Sequence, residues 1–319
     1  MMRGARNIVD NCASVKPHEK VLIITDTKLV KIGEVLAAAV YEREAEPILT
    51  IIEPRIRDGQ EPPKMIAEAM KHADVVFSPV SKSITHTSAV KEAVKAGARI
   101  LVMTAFTERV LISGGIETDF KAQSPVCKKL AELFTEADSL HLMTPAGTDL
   151  KMSISGRRGN ALTGVVDPGT FSTIPTIEAN VSPVEGTTQG KIVVDASIPY
   201  LGIGLLREPV NIVVENGMVK TIQGGYQADV LKNNLEGKKD SNVYNIAEIG
   251  VGLNPKSEMT GVMLDDEGVL GSAHVGIGTS ITLGGNIKAA THYDLVLWKP
   301  TILLDNEMVM EKGELRFTA

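Results

Sequence analysis

Short apolar runs alternate with amphipathic segments of helical length over the first 145 residues. Four such segments, near 28–43, 63–72, 86–97 and 121–137, follow the apolar runs along the chain. Strands that alternate with helices form βαβ units, so the pattern predicts a mostly parallel sheet covered by helices. The apolar runs are 21–24, 47–52, 75–78 and 100–103.

After residue 146 the pattern changes to short strands, turns and glycines. The segments 210–214 and 218–222 flank Asn216-Gly217, a pair that readily takes the positive φ angles of a tight hairpin turn. A second hairpin is predicted from 301–304 and 308–310, and one helix near 226–235. We therefore predict an α/β N-terminal domain with a mostly parallel sheet at 1–145, followed by an antiparallel-rich α+β C-terminal domain at 146–319.

Composition and charge narrow the classes of function. The chain has 319 residues, 43% of them hydrophobic, and a net charge of -6 with both signs interspersed, so it carries no basic surface signal for nucleic acid. No apolar run approaches membrane-spanning length, and Met1 leads into no signal-peptide pattern. The two cysteines, Cys12 and Cys127, are too few for a disulfide scaffold. We expect a cytoplasmic protein without nucleic-acid or membrane partners.

Nucleotide-binding loops are missing from the sequence. No G-x-G-x-x-G follows the first strand, and no G-x-x-x-x-G-K-[ST] occurs anywhere. A nucleotide-binding role is therefore disfavoured.

The most informative chemistry lies near the C-terminus. His292 and Asp294 are two residues apart in an apolar strand, so both side chains point to the same face. A buried charged pair needs a compensating partner, and a divalent cation is a common one. We predict that both residues bind a metal; the alternative is a structural His–Asp pair.

Two further residues are predicted metal ligands. His274 lies in a glycine-rich segment that lets the backbone pack closely around a ligand, although a core histidine is the alternative. Glu248 alternates with Gly250 and Gly252, which leaves one strand face without bulky side chains. Space beside a carboxylate suits a cation or a substrate.

Two residues are candidates for catalysis. Glu267 follows two aspartates in a predicted turn and is a candidate general base if it folds inward; the alternative is a solvated turn. His86 lies beyond the carboxyl end of the third predicted strand, where ligands gather in open α/β sheets. Its alternative role is a simple first-turn residue of the following helix.

The order of these residues resembles the aminopeptidase T family of metallopeptidases. The likeness runs along the chain, through 4–9, 85–87, 146–150 and 156–157, and is most specific in the metal motifs. It implies an amino-terminal amide hydrolase with two divalent cations, Zn, Co or Mn. A glutamate motif of that family falls on Glu178. The implied ligands are Glu178, Glu248, His274, His292 and Asp294.

The sequence around the metal motifs is also similar to the 2,5-dihydroxypyridine 5,6-dioxygenase family of mononuclear non-haem iron enzymes. The likeness is carried by 224–226, 250–255 and the His-x-Asp motif. It implies one Fe(II) held by Glu248, His292 and Asp294, with His86 as the base. That family has a histidine at the position of Glu248 and no counterpart of His274.

Five ligands with three carboxylates favour the two-metal hydrolytic site over the iron site. A third possibility is a non-catalytic protein that binds a metal or small ligand. The expected partners are a small peptide or other small-molecule substrate and, in a homodimer, a second copy of the chain.

Overall fold

The computed structural model describes residues 1–85 and 87–318, and the chain forms two compact units. Unit 1 comprises Met1–Ser124 and Leu162–Ile177, whereas unit 2 comprises Pro125–Ala161 and the chain from Glu178 onward. One parallel sheet and two antiparallel sheets make the fold a mixed α/β structure. The predicted division into domains at 145/146 stays a prediction.

The strands and α-helices of the described residues are numbered in chain order. The strands are β1 Lys20–Asp26, β2 Glu46–Ile52, β3 Val75–Ser78, β4 Arg99–Val102, β5 Ser139–Met143, β6 Asp149–Ser153, β7 Asn160–Leu162, β8 Phe171–Thr173, β9 Glu178–Val181, β10 Gln189–Val194, β11 Ser197–Ile198, β12 Gly204–Leu205, β13 Val210–Glu215, β14 Met218–Gln223, β15 Ile246–Gly252, β16 Ser272–Gly278, β17 His292–Trp298, β18 Thr301–Leu304, β19 Glu307–Glu311 and β20 Glu314–Leu315. The α-helices are α1 Met2–Asn7, α2 Val30–Tyr41, α3 Lys64–Met70, α4 Ser88–Lys95, α5 Glu108–Ile112, α6 Phe120–Glu136, α7 Tyr226–Gly237 and α8 Met263–Asp266. A π-helical segment lies at Ile8–Cys12, and 3-10 helices lie at Gly115–Glu117, Ser241–Tyr244 and Ile281–Leu283.

The parallel sheet belongs to unit 1 and has the strand order β2-β1-β3-β4-β8. Strands β3 and β4 are buried along their whole length, which explains why they read as continuous apolar runs. The four predicted strands are confirmed, and α2, α3, α4 and α6 confirm the predicted helices. Helix α4 begins after Thr87, whose Oγ1 accepts a hydrogen bond from the Val90 amide at 3.3 Å.

The two antiparallel sheets lie in the C-terminal part of the fold. One has the order β14-β13-β10-β6-β5-β18-β19-β20, and the other has the order β12-β11-β17-β16-β15-β9-β7. Both predicted hairpins are present, as β13–β14 and β18–β19. Asn216 and Gly217 have φ angles of 52° and 73°, as the predicted turn requires. Helix α7 confirms the helix predicted near 226–235.

No helix in the described part of the chain combines the length and the apolar character needed to cross a membrane.

Candidate metal centre

Four neighbouring strands of the seven-stranded sheet, β9, β15, β16 and β17, present the predicted ligands on one face. Directly paired residues share a face, as do residues two apart within a strand. Three glycines connect the strands in register: Gly252 pairs with Glu178, Gly250 with His274, and Gly276 with both Glu248 and Asp294. His292 lies two residues from Asp294 on the same strand face. The fold therefore brings all five predicted ligands together.

Glycines provide the space that these side chains occupy. A Cβ atom at Gly250 would lie 2.0 Å from His274 Nε2. At Gly276 it would lie 2.8 Å from the Cβ of Glu248 and 2.8 Å from His292 Cε1. Because real Cβ atoms do not approach this closely, any larger residue would displace a ligand. The prediction of a strand face without bulky side chains is confirmed.

The ligand atoms form two adjacent groups. In group 1, His274 Nε2 lies 3.6 Å from Glu178 Oε2 and 3.8 Å from Glu248 Oε1. In group 2, His292 Nε2 lies 2.9 Å from Glu248 Oε2 and 3.2 Å from Asp294 Oδ1. Within each group the ligand atoms lie within 4.8 Å of one another. Glu248 belongs to both groups, with one carboxylate oxygen directed to each.

Unsatisfied buried atoms show that a cation fits this cluster. Glu178 and Asp294 are only 5% and 4% exposed, yet Glu178 Oε2 and Asp294 Oδ1 accept no hydrogen bond from the described residues. Leaving a buried polar atom without a partner costs about 1–3 kcal/mol, and more when it is charged. Both atoms point into the cluster, where a divalent cation would satisfy them.

The remaining atoms of three ligands are held by outer hydrogen bonds. Asn180 Nδ2 donates to Glu178 Oε1 at 2.9 Å, and the Tyr200 hydroxyl donates to Asp294 Oδ2 at 2.6 Å. His292 Nδ1 lies 2.8 Å from the carbonyl oxygen of Thr279. Because a carbonyl only accepts, Nδ1 carries the proton and Nε2 is left for the cluster.

Glu267 folds inward beside the cluster, so the alternative of a solvated turn is wrong. It caps the C-terminal end of α8 and is 8% exposed. Its Oε1 lies 3.1 Å from the hydroxyl of Tyr200. No sequence motif points to Tyr200, which lies in the loop after β11.

Burial and neighbouring charges set the protonation of the acids. Burial raises the pKa of Glu267 well above its ordinary range, and the charges of Asp294 and Glu178 raise it further. The Tyr200 hydroxyl lies within hydrogen-bonding distance of both carboxyl groups, and Asp294 Oδ2 is the closer of the two. Burial likewise raises the pKa of Glu178, to about 7.

The carboxylates around the two histidines raise the pKa of both rings. Burial alone would lower the pKa of His274, but its hydrogen bond with Glu248 and the charge of Glu178 raise it to about 9. Burial also opposes the charge on His292, yet the nearby carboxylate of Asp294 raises the pKa of His292 well above its usual value. Burial raises the pKa of Asp294, but the charges of His292 and His274 and the hydrogen bonds from His292 and Tyr200 together lower it.

The remaining predicted catalytic residue, His86, lies outside the described residues. Its proposed role as a base stays a prediction.

The chain is similar in sequence to known enzymes. Residues 6–317 match the family model described as NicX: 2,5-dihydroxypyridine 5,6-dioxygenase. The 2,5-dihydroxypyridine 5,6-dioxygenase of Pseudomonas putida is 25% identical over 259 residues, which cover 77% of this chain and 72% of that protein. These relatives identify the chain as an enzyme, and the alternative of a non-catalytic binding protein is set aside.

Two solved structures share the fold. The 2,5-dihydroxypyridine dioxygenase of Pseudomonas putida KT2440 superposes with a TM-score of 0.86 at 20% identity, covering 99% of this chain and 97% of that one. Wild-type AmpT (aminopeptidase T) from Thermus thermophilus has a TM-score of 0.70 at 14% identity, covering 99% and 98%. The resemblance to aminopeptidase T is therefore confirmed at the level of the fold.

Proposed function

This chain belongs to the 2,5-dihydroxypyridine 5,6-dioxygenase family, and within that family we propose that it is a two-metal hydrolase that cleaves amino-terminal amide bonds. One observation carries the proposal: Glu248 is shared by two adjacent ligand groups. A single ion in group 2 would leave the buried Glu178 Oε2 and His274 without a metal ion to bind. Two ions would use all five side chains.

The ligand set is suited to Zn, Co or Mn. Glu178 and His274 would hold the ion of group 1, and His292 and Asp294 would hold the ion of group 2. Glu248 would bridge them through its two oxygens. Imidazole nitrogens combined with carboxylate oxygens suit these borderline and hard divalent metals. When bound, a pair of divalent cations lowers the pKa of a water molecule and polarises a carbonyl group.

The neighbouring residues supply proton transfer. Glu267 is a buried carboxyl group with a raised pKa and belongs to neither ligand group, so it would be available to give a proton to a leaving amine. Tyr200 lies between Glu267 and Asp294 and keeps this acid beside the cluster.

The choice of an amino-terminal amide rests on the resemblance of the ligand set to that of aminopeptidase T. We propose a small peptide as the substrate, and the interspersed charge gives no basic surface signal for nucleic acid. We also propose a cytoplasmic location, no membrane partner and a homodimer.

Family membership supports a second candidate, a ring-cleaving dioxygenase with one Fe(II). Group 2 alone has one histidine and two carboxylates, Glu248, His292 and Asp294. That set differs by one residue from the two-histidine, one-carboxylate triad of non-haem Fe(II) oxygenases. The named activity of the Pseudomonas putida relative makes a dihydroxylated pyridine the substrate to test.

The two candidates are separated by parallel assays of one preparation. Protein loaded with Zn, Co or Mn is tested on aminoacyl amides, and protein loaded anaerobically with Fe(II) is tested on 2,5-dihydroxypyridine with oxygen uptake recorded. We expect metal-stimulated amide hydrolysis and no oxygen uptake above that of free Fe(II). Oxygen consumption with ring loss, and no amide turnover with any metal, would reverse the assignment.

A further inference from the structure

Asn180 and Tyr200 hold the two carboxylates that belong to only one ligand group each. We propose that they are positioning residues, Asn180 for the metal of group 1 and Tyr200 for the metal of group 2. Each engages one oxygen of its carboxylate and thereby turns the other oxygen into the cluster. This inference rests on the proposed two-metal function and adds residues that no sequence motif identified.

Asn180 is fixed in one orientation by a second amide. It lies on β9 two residues from Glu178, on the same strand face, and is 1% exposed. Its Oδ1 accepts from Asn160 Nδ2 at 2.9 Å, so its own Nδ2 must face Glu178 Oε1, again at 2.9 Å. Asn160 also donates to the carbonyl oxygen of Leu283 at 3.2 Å. This chain of amides leaves Glu178 Oε2 as the atom that faces His274.

Tyr200 performs the same task at the other end of the cluster. Its hydroxyl binds Asp294 Oδ2 at 2.6 Å, which leaves Oδ1 facing His292 Nε2 at 3.2 Å. The ring packs against Tyr293 with centroids 5.1 Å apart, so the hydroxyl is carried by a fixed side chain. Removing that hydroxyl would let the carboxylate of Asp294 rotate.

Each positioning residue should therefore affect its own metal only. Outer hydrogen bonds to metal ligands typically change metal affinity by about 10–100-fold. We expect Tyr200→Phe to weaken the ion of group 2 and Asn180→Ala to weaken the ion of group 1. Neither residue contacts the carboxylate that the two groups share.

The test measures Zn²⁺ affinity in two backgrounds that each remove one group. His274→Ala leaves group 2, and His292→Ala leaves group 1. In the His274→Ala background, Tyr200→Phe should weaken Zn²⁺ binding by about 10–100-fold, whereas in the His292→Ala background it should have no effect. Asn180→Ala should show the reverse pattern. Tyr293→Phe is the matched control, because it removes a neighbouring tyrosine hydroxyl that donates to Asn234 Oδ1 at 3.0 Å.

Several outcomes would overturn the proposal. One is that Tyr200→Phe changes the Zn²⁺ affinity equally in both backgrounds, or in neither. Another is that Tyr293→Phe lowers the Zn²⁺ affinity as much as Tyr200→Phe does. The last is that the wild-type protein binds no Zn²⁺. Circular dichroism checks folding. If Asn180→Ala is unfolded, Asn160→Ala is the second variant: it removes the donor that orients the Asn180 amide, together with a hydrogen bond to Leu283, and should weaken group 1 in the same direction. A failure of amide hydrolysis would leave these affinities unchanged, so it would refute the proposed function alone.

Discussion

Gly250 lies directly opposite His274 across strands β15 and β16. A Cβ atom at this glycine would lie 2.0 Å from His274 Nε2, the nitrogen that faces both carboxylates of group 1. The glycine is therefore a requirement of the ligand cluster and not of a turn. Its absence of a side chain is what allows the histidine to lie flat over the strand.

The first prediction is that Gly250→Ala disrupts group 1. The added methyl group must push His274 away, so we expect about 10–100-fold weaker binding of the metal in group 1 and a loss of about 1–3 kcal/mol of unfolding free energy. Titration with Zn²⁺ and chemical denaturation measure the two effects. Gly237→Ala is the matched control, because a Cβ there meets no atom within 4 Å. Equal metal affinity in both variants would contradict this account of the glycine.

A second prediction separates one metal from two. Glu178→Gln keeps the shape of the side chain but gives a much poorer ligand, so metal content should fall from two ions to one per chain. Amide hydrolysis should fall to the level of the metal-free protein. A dioxygenase that uses group 2 alone would keep its activity in this variant. Elemental analysis after gel filtration measures the metal content, and the amide-hydrolysis and oxygen-uptake assays measure the two activities.

The pH dependence of metal binding follows from His274. With a pKa of about 9 in the metal-free protein, its ring is protonated at pH 7, and only the neutral ring can bind a metal. Zn²⁺ binding at pH 7 should therefore release protons, and its affinity should rise as the pH approaches 9. Calorimetric titration in buffers of different ionisation enthalpy measures the released protons. Proton uptake or no exchange would show that His274 is neutral before binding.

The same groups predict how the stability of the metal-free protein changes with pH. The pKa values of His274 and Glu178 in the folded state, about 9 and about 7, are higher than the ordinary values of 6.5 and 4.5 expected in the unfolded chain. The folded state then binds more protons than the unfolded state, so the unfolding free energy should fall as pH rises from 5 to 9. Metal-loaded protein should lack this fall. Thermal denaturation across this range, with and without chelator, measures the difference.

The last prediction concerns Glu267 as the proton donor. Glu267→Gln keeps a group of similar size beside Tyr200 but removes the acidic proton. We expect kcat for amide hydrolysis to fall by about 10²–10⁴-fold with unchanged metal content. A fall in metal content equal to the loss of activity would instead show that Glu267 is a metal ligand.

The sequence alone determined much of what depends on local periodicity. His292 and Asp294 share a face because side chains alternate along any strand, and Glu248 shares a face with Gly250 for the same reason. The Asn216-Gly217 hairpin and the alternation of strands and helices in the first 145 residues followed from turn chemistry and period. Glu178 entered only through a family resemblance, since nothing in its own neighbourhood marks it.

Tertiary structure decided what depends on register between distant strands. Pairing of Glu178 with Gly252 and of Glu248 with Gly276 makes one carboxylate common to two groups, and no local pattern specifies that pairing. The inward fold of Glu267 and the place of Tyr200 between two carboxylates likewise come from packing of separate segments. Periodicity fixes the face on which a side chain lies, because it is a property of one backbone. Which side chains meet on that face is fixed by long-range pairing, which only the complete fold supplies.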